Sequence, residues 1–219
     1  MRNLITTAIL ALALFPLVGS AQITGEFSTL YTSAYTFRGA QLADESIQPY
    51  LKLELGNLYA TAWSNVPLDS GQDNELDFSL GYSAEGKPFD LDLGVMAYHY
   101  PDAGDTTWEG YLGISRSFGG FTPSLVAYYD WTLKVFTYQG GFSYEIPVAK
   151  RFTLAPRAVA GYIDPSGGKG SYYWEGGLEA SFSFTEKASA FVGGAYTSSD
   201  VDLAKKDIWT YSGGIRFSF

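Results

Sequence analysis

The sequence predicts one domain: an all-β, transmembrane, antiparallel up-and-down β-barrel of about twelve strands. Three observations carry this reading. Hydrophobicity alternates with a period of two from Glu26 onward, tight turns alternate with longer polar loops, and aromatic residues recur near the strand ends. No segment carries a convincing 3.6-residue period, so helices are not expected.

A targeting segment comes first. Arg2 is followed by an apolar stretch from Leu4 to Val18, broken by Pro16, and then by the small residues Gly19, Ser20 and Ala21. This is the form of a secretory signal peptide (residues 1–21) cleaved after Ala21, leaving residues 22–219 as the barrel. The apolar run is too short for a membrane anchor.

The strands are then expected over 26–38, 47–55, 58–65, 75–83, 88–100, 106–118, 121–131, 135–145, 152–163, 171–184, 188–198 and 207–219. The second alternates Leu51-Leu53-Leu55 with Lys52-Glu54. The fourth sets Leu76-Phe78-Leu80-Tyr82 against Glu75-Asp77-Ser79. In the fifth, Phe89-Leu91-Leu93-Val95 opposes Asp90-Asp92-Gly94, and the tenth repeats the pattern from Tyr172 to Phe184. Between them lie short turns (Gly56-Asn57, 83–87, Gly119-Gly120, 146–151 and 185–187). The other end carries GAQLADES, VPLDSGQDN, PDAGD, DPSGGKG and SDVDLAKK, with only 132–134 short. Short periplasmic turns opposite longer outer loops are the layout of a membrane barrel, and an even strand count places both termini on the short-turn side.

The Gly56-Asn57 turn tests the register. A two-residue loop pairs Leu55 with Leu58, Leu53 with Ala60 and Leu51 with Ala62. It also pairs Glu54 with Tyr59, Lys52 with Thr61 and Tyr50 with Trp63. Apolar meets apolar on one face only in this register.

Cost decides which face meets lipid, because a carboxylate at the bilayer midplane is penalised while one in a wet lumen is not. The charged face, including Glu26, Arg38, Lys52, Glu54, Glu75, Asp77, Asp90, Asp92, Glu109, Asp130, Glu145, Arg157, Glu175, Glu179 and Arg216, therefore points inward. Arg116 is the outward exception, close enough to a turn to snorkel. A soluble barrel or sandwich would invert these faces. Against it stand the interfacial aromatics (Tyr31, Phe37, Tyr82, Phe89, Trp108, Tyr129, Trp131, Trp174 and Phe184) and a polar face poor in lysine. Charged residues are 17% of the chain, below the roughly 25% of soluble domains.

Composition excludes several functions. The chain has 14 Lys and Arg against 23 Asp and Glu, which argues against nucleic acid as a partner. It has no Cys, so neither disulfides nor thiolate metal sites are available. No phosphate-cradling glycine loop opens a helix, and no cofactor is expected.

The chain closes on SGGIRFSF. Ser212, Gly214, Phe217 and Phe219 match the terminal pattern of bacterial outer-membrane proteins: polar, any, Gly, any, any, aromatic, any, aromatic. This resemblance implies that the last strand is read by the barrel assembly machinery after escort by periplasmic chaperones, in a Gram-negative outer membrane. A second resemblance rests on TSAYTFRG (32–39), Gln48-Pro49, AWSNV (62–66), Glu75-Leu76-Asp77, Gly81-Tyr82 and Tyr98-His99-Tyr100-Pro101. Together these resemble the TorF family, exported bacterial proteins catalogued as conserved hypotheticals and presumed to be porins. The resemblance spans nearly the whole mature chain and implies an outer-membrane barrel with a pore. It does not supply a solute.

Several residues are candidates for the chemistry of such a lumen. Arg38 is expected at the outer end of the first strand, facing Glu75 and Asp77 in a rim network that is either a structural ion pair or a selectivity element. A four-residue turn at 83–86 would set Asp77 opposite Asp92, with Asp90 and Glu75 nearby, favouring cations or a divalent ion. No calcium-loop spacing is present, and no metal is assigned. Lys52, Glu109, Arg157, Glu175 and Glu179 complete the charged candidates. Inward Tyr50, Trp63, Tyr98, Tyr128 and Tyr173 either form a stacking track for sugars and other planar solutes or simply fill the barrel. Twelve strands lie between a filled and an open interior.

The expected function is a narrow passive channel for small, preferentially cationic or neutral solutes. One alternative is a closed barrel with a structural or loop-mediated binding role. Another is a lipid-acting enzyme using His99, the single histidine, with Ser64; no nucleophile motif surrounds that serine.

Overall fold

The structure, a computed structural model, describes residues 22–201 and 206–219; the expected signal peptide (1–21) and part of the expected 199–206 loop lie outside the described residues. Among the described residues the elements are β1 (Thr24–Thr32), β2 (Tyr35–Phe37), β3 (Ala40–Ala43), β4 (Ser46–Leu55), β5 (Leu58–Pro67), β6 (Glu75–Ala84), β7 (Asp90–Tyr100) and β8 (Asp105–Ser115). They continue with β9 (Phe121–Asp130), β10 (Val135–Tyr144), β11 (Ile146–Ala149), β12 (Phe152–Pro165), β13 (Ser171–Ser183), β14 (Ala188–Ser199) and β15 (Asp207–Ser218).

Twelve of these form a closed antiparallel barrel. The wall runs β1-β4-β5-β6-β7-β8-β9-β10, crosses to β12 through the β10–β12 pairing, and returns by β13-β14-β15 to β1. Short β11 continues the line of β10 against the lower end of β12. Closure leaves no free sheet edge, the condition for backbone at membrane depth.

The β4–β5 register is the one read from the sequence, from Leu55 opposite Leu58 to Tyr50 opposite Trp63. The outward face is apolar around the wall: Leu80, Leu112, Leu125, Leu178 and Val192 are all exposed at mid-strand. Aromatics flank this band at both ends, with Trp108, Trp131, Trp174 and Trp209 at the long-loop end and Phe118, Phe121, Phe182 and Phe217 at the short-turn end. An apolar belt between two aromatic girdles is the surface of a barrel standing in lipid.

The terminal strand closes the wall. Phe217 lies opposite Phe27 and Ile215 opposite Thr29, while Phe219 exchanges two backbone hydrogen bonds with Gly25. On the inner face, Arg216 reaches both Glu26 and Glu179 at 3.6 Å.

Two expectations fail at strand ends. The first strand was expected to run to residue 38, but the chain leaves the wall at Thr32, whose hydroxyl bonds the Ala34 carbonyl. Phe37 is consequently not a girdle residue; its ring packs 5.8 Å from that of Tyr98 inside the barrel. At the β6–β7 turn, Ser83 and Ala84 remain in the strand and pair with Asp92 and Leu91, and the Asp90 carboxylate accepts a bond from the Gly86 amide. The register therefore sets Asp77 opposite Tyr98, not opposite Asp92. Arg116 likewise does not snorkel alone: it donates to the Gly86 carbonyl and lies 3.8 Å from Asp90.

The outward belt makes a testable demand. Leu80→Arg, at mid-height on the lipid face, is expected to destabilise the barrel refolded in bilayers by about 2–4 kcal/mol, read by denaturant unfolding. A cost near zero would place that face in water.

Candidate functional site

Residues 33–45, between β1 and β4, fold into the lumen. β2 and β3 form a hairpin whose turn is Arg38-Gly39, with φ of +47° and +86°. Positive φ at both central residues is the requirement of a type I′ turn, which glycine meets freely and arginine does not. The strain at Arg38 is offset by what its side chain reaches.

That side chain crosses to the far wall. Its two terminal nitrogens donate to the two carboxylate oxygens of Glu109 on β8, at 2.6 and 2.7 Å. Tyr98 on β7 donates its hydroxyl to the same carboxylate at 2.9 Å, and the guanidinium lies 4.3 Å from the centre of the Tyr128 ring on β9. Glu109 is 1% exposed, so its charge depends on these partners. A bidentate, stacked arginine suits that task better than a lysine would. On the other side of the turn, the Gly39 carbonyl accepts a bond from the Ser199 hydroxyl at 2.7 Å. A Cβ at Gly39 would fall 2.6 Å from side-chain carbons of both Ser199 and Tyr173, so only glycine fits. The turn thus touches β7–β9 on one side and β13–β14 on the other, spanning the lumen.

The arms of the hairpin are seated in the same way. Tyr35 is buried, with its ring 5.2 Å from that of Trp63, and Ala34, Ala40 and Ala43 are buried as well. Gln72 ties the outer end by bonding both the amide and the carboxylate of Asp44, and Tyr31 bonds Glu45.

Arg38 therefore does not form the expected rim network with Glu75 and Asp77. Those two carboxylates lie on β6, near Tyr35 and Trp63, and Oδ1 of Asp77 is buried without a hydrogen-bond partner. The expected pairing of Asp77 with Asp92 also dissolves, since Asp92 accepts a bond from Tyr59 at 2.7 Å. The remaining candidates face inward as read. Lys52 pairs with Glu54 at 2.7 Å and Arg157 with Glu175 at 2.6 Å, while Asp90 stands at the lower rim beside Arg116. Tyr50, Trp63, Tyr98, Tyr128 and Tyr173 line cavities of the lumen. They line spaces of about 380 Å³ around the hairpin tip and about 460 Å³ beside β4–β9, the latter walled by the barrel strands alone; a third space of about 290 Å³ lies between the first arm of the hairpin and β12–β15.

His99 and Ser64, the pair an enzyme would need, are engaged separately. His99 Nδ1 lies 2.9 Å from the Thr106 hydroxyl, and Ser64 donates to the Glu75 carbonyl. Among the described residues no cluster of three or more His, Asp or Glu has the geometry to hold a metal ion.

Sequence reading missed two features. It reads residues 33–45 as the end of a strand and an outer loop because Arg-Gly is not one of the pairs that signal a type I′ turn; Gly39 alone marks the turn. It also missed that inward glycines lie beneath tyrosines on the neighbouring strand, Gly81 under Tyr59 and Gly94 under Tyr111. These glycines let the rings lie flat against the wall.

A closed twelve-stranded barrel with an apolar belt and a charged, hydroxylated lumen defines a transmembrane barrel with the fold of outer-membrane porins. It is similar to the NanC porin, with a TM-score of 0.62, 14% identity, and coverage of 88% of this chain and 98% of that one. For the KdgM porin the values are 0.60, 11%, 90% and 99%. For an outer membrane channel from Pseudomonas putida F1 they are 0.51, 13%, 93% and 97%. Among curated proteins none matches the chain in sequence. Residues 20–218 match the family described as "Bacterial protein of unknown function (Gcw_chp)", and the chain belongs to that family.

Breaking one half of the clasp is the more damaging change. Glu109→Ala or Arg38→Ala alone is expected to cost about 3–5 kcal/mol, because each strands a buried charge. The double change to leucine is expected to recover most of that in urea unfolding. Equal losses in single and double variants would show that the clasp is not coupled.

Proposed function

We propose that the chain is a porin of the Gram-negative outer membrane, a narrow passive channel for small cationic or neutral solutes. The observation that carries the reading is the charge balance of the lumen. Each inward base is matched: Arg38 by Glu109, Lys52 by Glu54, Arg157 by Glu175, and Arg216 by Glu26 and Glu179. Glu75, Asp77, Asp92 and Asp130 face the same lumen with no base within ion-pair distance among the described residues. The surplus is negative, and a low-dielectric wall amplifies such a surplus, raising the local concentration of cations. The fold shared with porins and the resemblance to the TorF family support the same assignment. Recognition of the terminal Ser212, Gly214, Phe217 and Phe219 by the barrel assembly machinery belongs to it.

The transverse hairpin favours a second reading, a closed barrel with a structural or binding role. Planar bilayers separate the two. The porin reading expects small conductance steps, a reversal potential of cation-selective sign in a salt gradient, and larger steps when residues 34–44 are replaced by a short glycine linker. Silence in the native protein with steps only after hairpin removal would establish the closed barrel. Anion selectivity would contradict the charge argument.

A further inference from the structure

The lumen holds two chambers of different chemistry, and the larger one, beside β4–β9, has the lining of a ligand site. The chamber beside β12–β15 is walled by charges, Arg157, Glu175 and Glu179. The 460 Å³ chamber beside β4–β9 is not. Its walls carry four tyrosines (Tyr50, Tyr59, Tyr111 and Tyr128), five serine or threonine hydroxyls, and the two charges Lys52 and Asp92.

Those two charges exclude most ligand classes. The Lys52 ammonium stands 5.0 Å over the Tyr59 ring, so that aromatic face already holds a cation, and a second one entering the chamber is repelled by it. The Asp92 carboxylate lies in the same wall and repels an anion. An apolar solute would strip water from nine hydroxyls without replacing a hydrogen bond. What remains is a neutral solute that offers hydroxyls at its edge and C–H groups on its face. Tyrosine supplies a flat apolar surface and a polar tip together. Glycines beneath Tyr59 and Tyr111 let both rings lie against the wall, and since Lys52 stands over Tyr59, Tyr111 is the one of the two left to offer a face. The Tyr111 hydroxyl meets that of Tyr59, which donates to Asp92 at 2.7 Å, so the acceptor is held in place before any ligand arrives. The volume falls within the range of small-molecule sites.

We infer that this chamber binds neutral, polyhydroxylated solutes of mono- to disaccharide size. The inference rests on the porin reading for its purpose, but the site exists or fails by itself. The full barrel, refolded in a sugar-free zwitterionic detergent, is titrated with glucose and maltose and with charged counterparts, glucuronate and glucosamine. Binding is read by saturation-transfer NMR.

Saturable binding of the neutral sugars is expected, stronger than that of either charged analogue. Tyr59→Phe and Asp92→Asn, which keep shape and lose hydrogen bonds, are each expected to weaken it by up to roughly tenfold. Tyr111→Ala, which removes a stacking face, is expected to abolish it. Native-like heat modifiability on gels shows that each variant has folded. Absence of saturable binding to the neutral sugars overturns the inference, as does tighter binding of glucuronate or glucosamine, or binding unchanged in all three variants. Sugar binding without conductance in bilayers would overturn the porin reading and leave the site standing. Conductance without sugar binding would do the reverse.

Discussion

The interior of this barrel is organised by one ion pair. Arg38 leaves β1 on a thirteen-residue excursion, crosses the lumen and closes on Glu109 with two hydrogen bonds. Everything near it is arranged around that crossing. Glu109 is buried because the guanidinium covers it, and Tyr98 and Tyr128 hold the pair from the wall. Gly39 allows the turn to press against Ser199 and Tyr173 on the opposite side. Buried ion pairs contribute little net stability compared with apolar packing, but they discriminate strongly among alternative placements. A wet lumen gives a hairpin no large apolar surface to bury, so a directional, bidentate contact is a suitable way to fix its position.

The wall was legible in the sequence and the contents of the lumen were only partly so. Period-two alternation states where each strand runs and which side is apolar, because lipid penalises charge at every position of one face. The Leu51-Leu53-Leu55 strand and its Gly56-Asn57 turn therefore gave a register that the structure reproduces residue by residue. Parity also placed Lys52, Glu109, Arg157, Glu175 and the inward tyrosines on the correct side. Parity does not say how far a chain remains in the wall. TSAYTFRG continues the alternation of β1 past Thr32, yet from Ser33 onward the alternation belongs to a separate hairpin. Gly39 is the one residue of the stretch whose type marks a turn, and the arginine before it masks the usual pair. Turn position was the second blind spot: a turn at 83–86 shifts the residue opposite Asp77 six places along β7, from Tyr98 to Asp92, and creates an acidic pair that does not exist.

The walls of the lumen carry two kinds of chemistry. On one side Arg157, Glu175, Glu179 and Arg216 form a charged wall linked by ion pairs. On the other, tyrosines lie flat over glycines around a chamber whose Lys52 is paired with Glu54 and whose Asp92 accepts a bond from Tyr59. A twelve-stranded barrel without the hairpin would present both walls to a single wide space. With it, the lumen is narrowed where Arg38 crosses to Glu109 and Gly39 meets Ser199.

The placement of Arg38 is the point on which this account turns. It can be measured without reference to transport. In an isotope-labelled barrel in detergent micelles, nuclear Overhauser contacts between the Arg38 side chain and the ring protons of Tyr128, whose centre lies 4.3 Å from the guanidinium, report it directly. The account predicts those contacts, together with contacts between the rings of Phe37 and Tyr98. Their absence, with Arg38 amide and side-chain protons in fast exchange with water, would place residues 33–45 outside the barrel and contradict it.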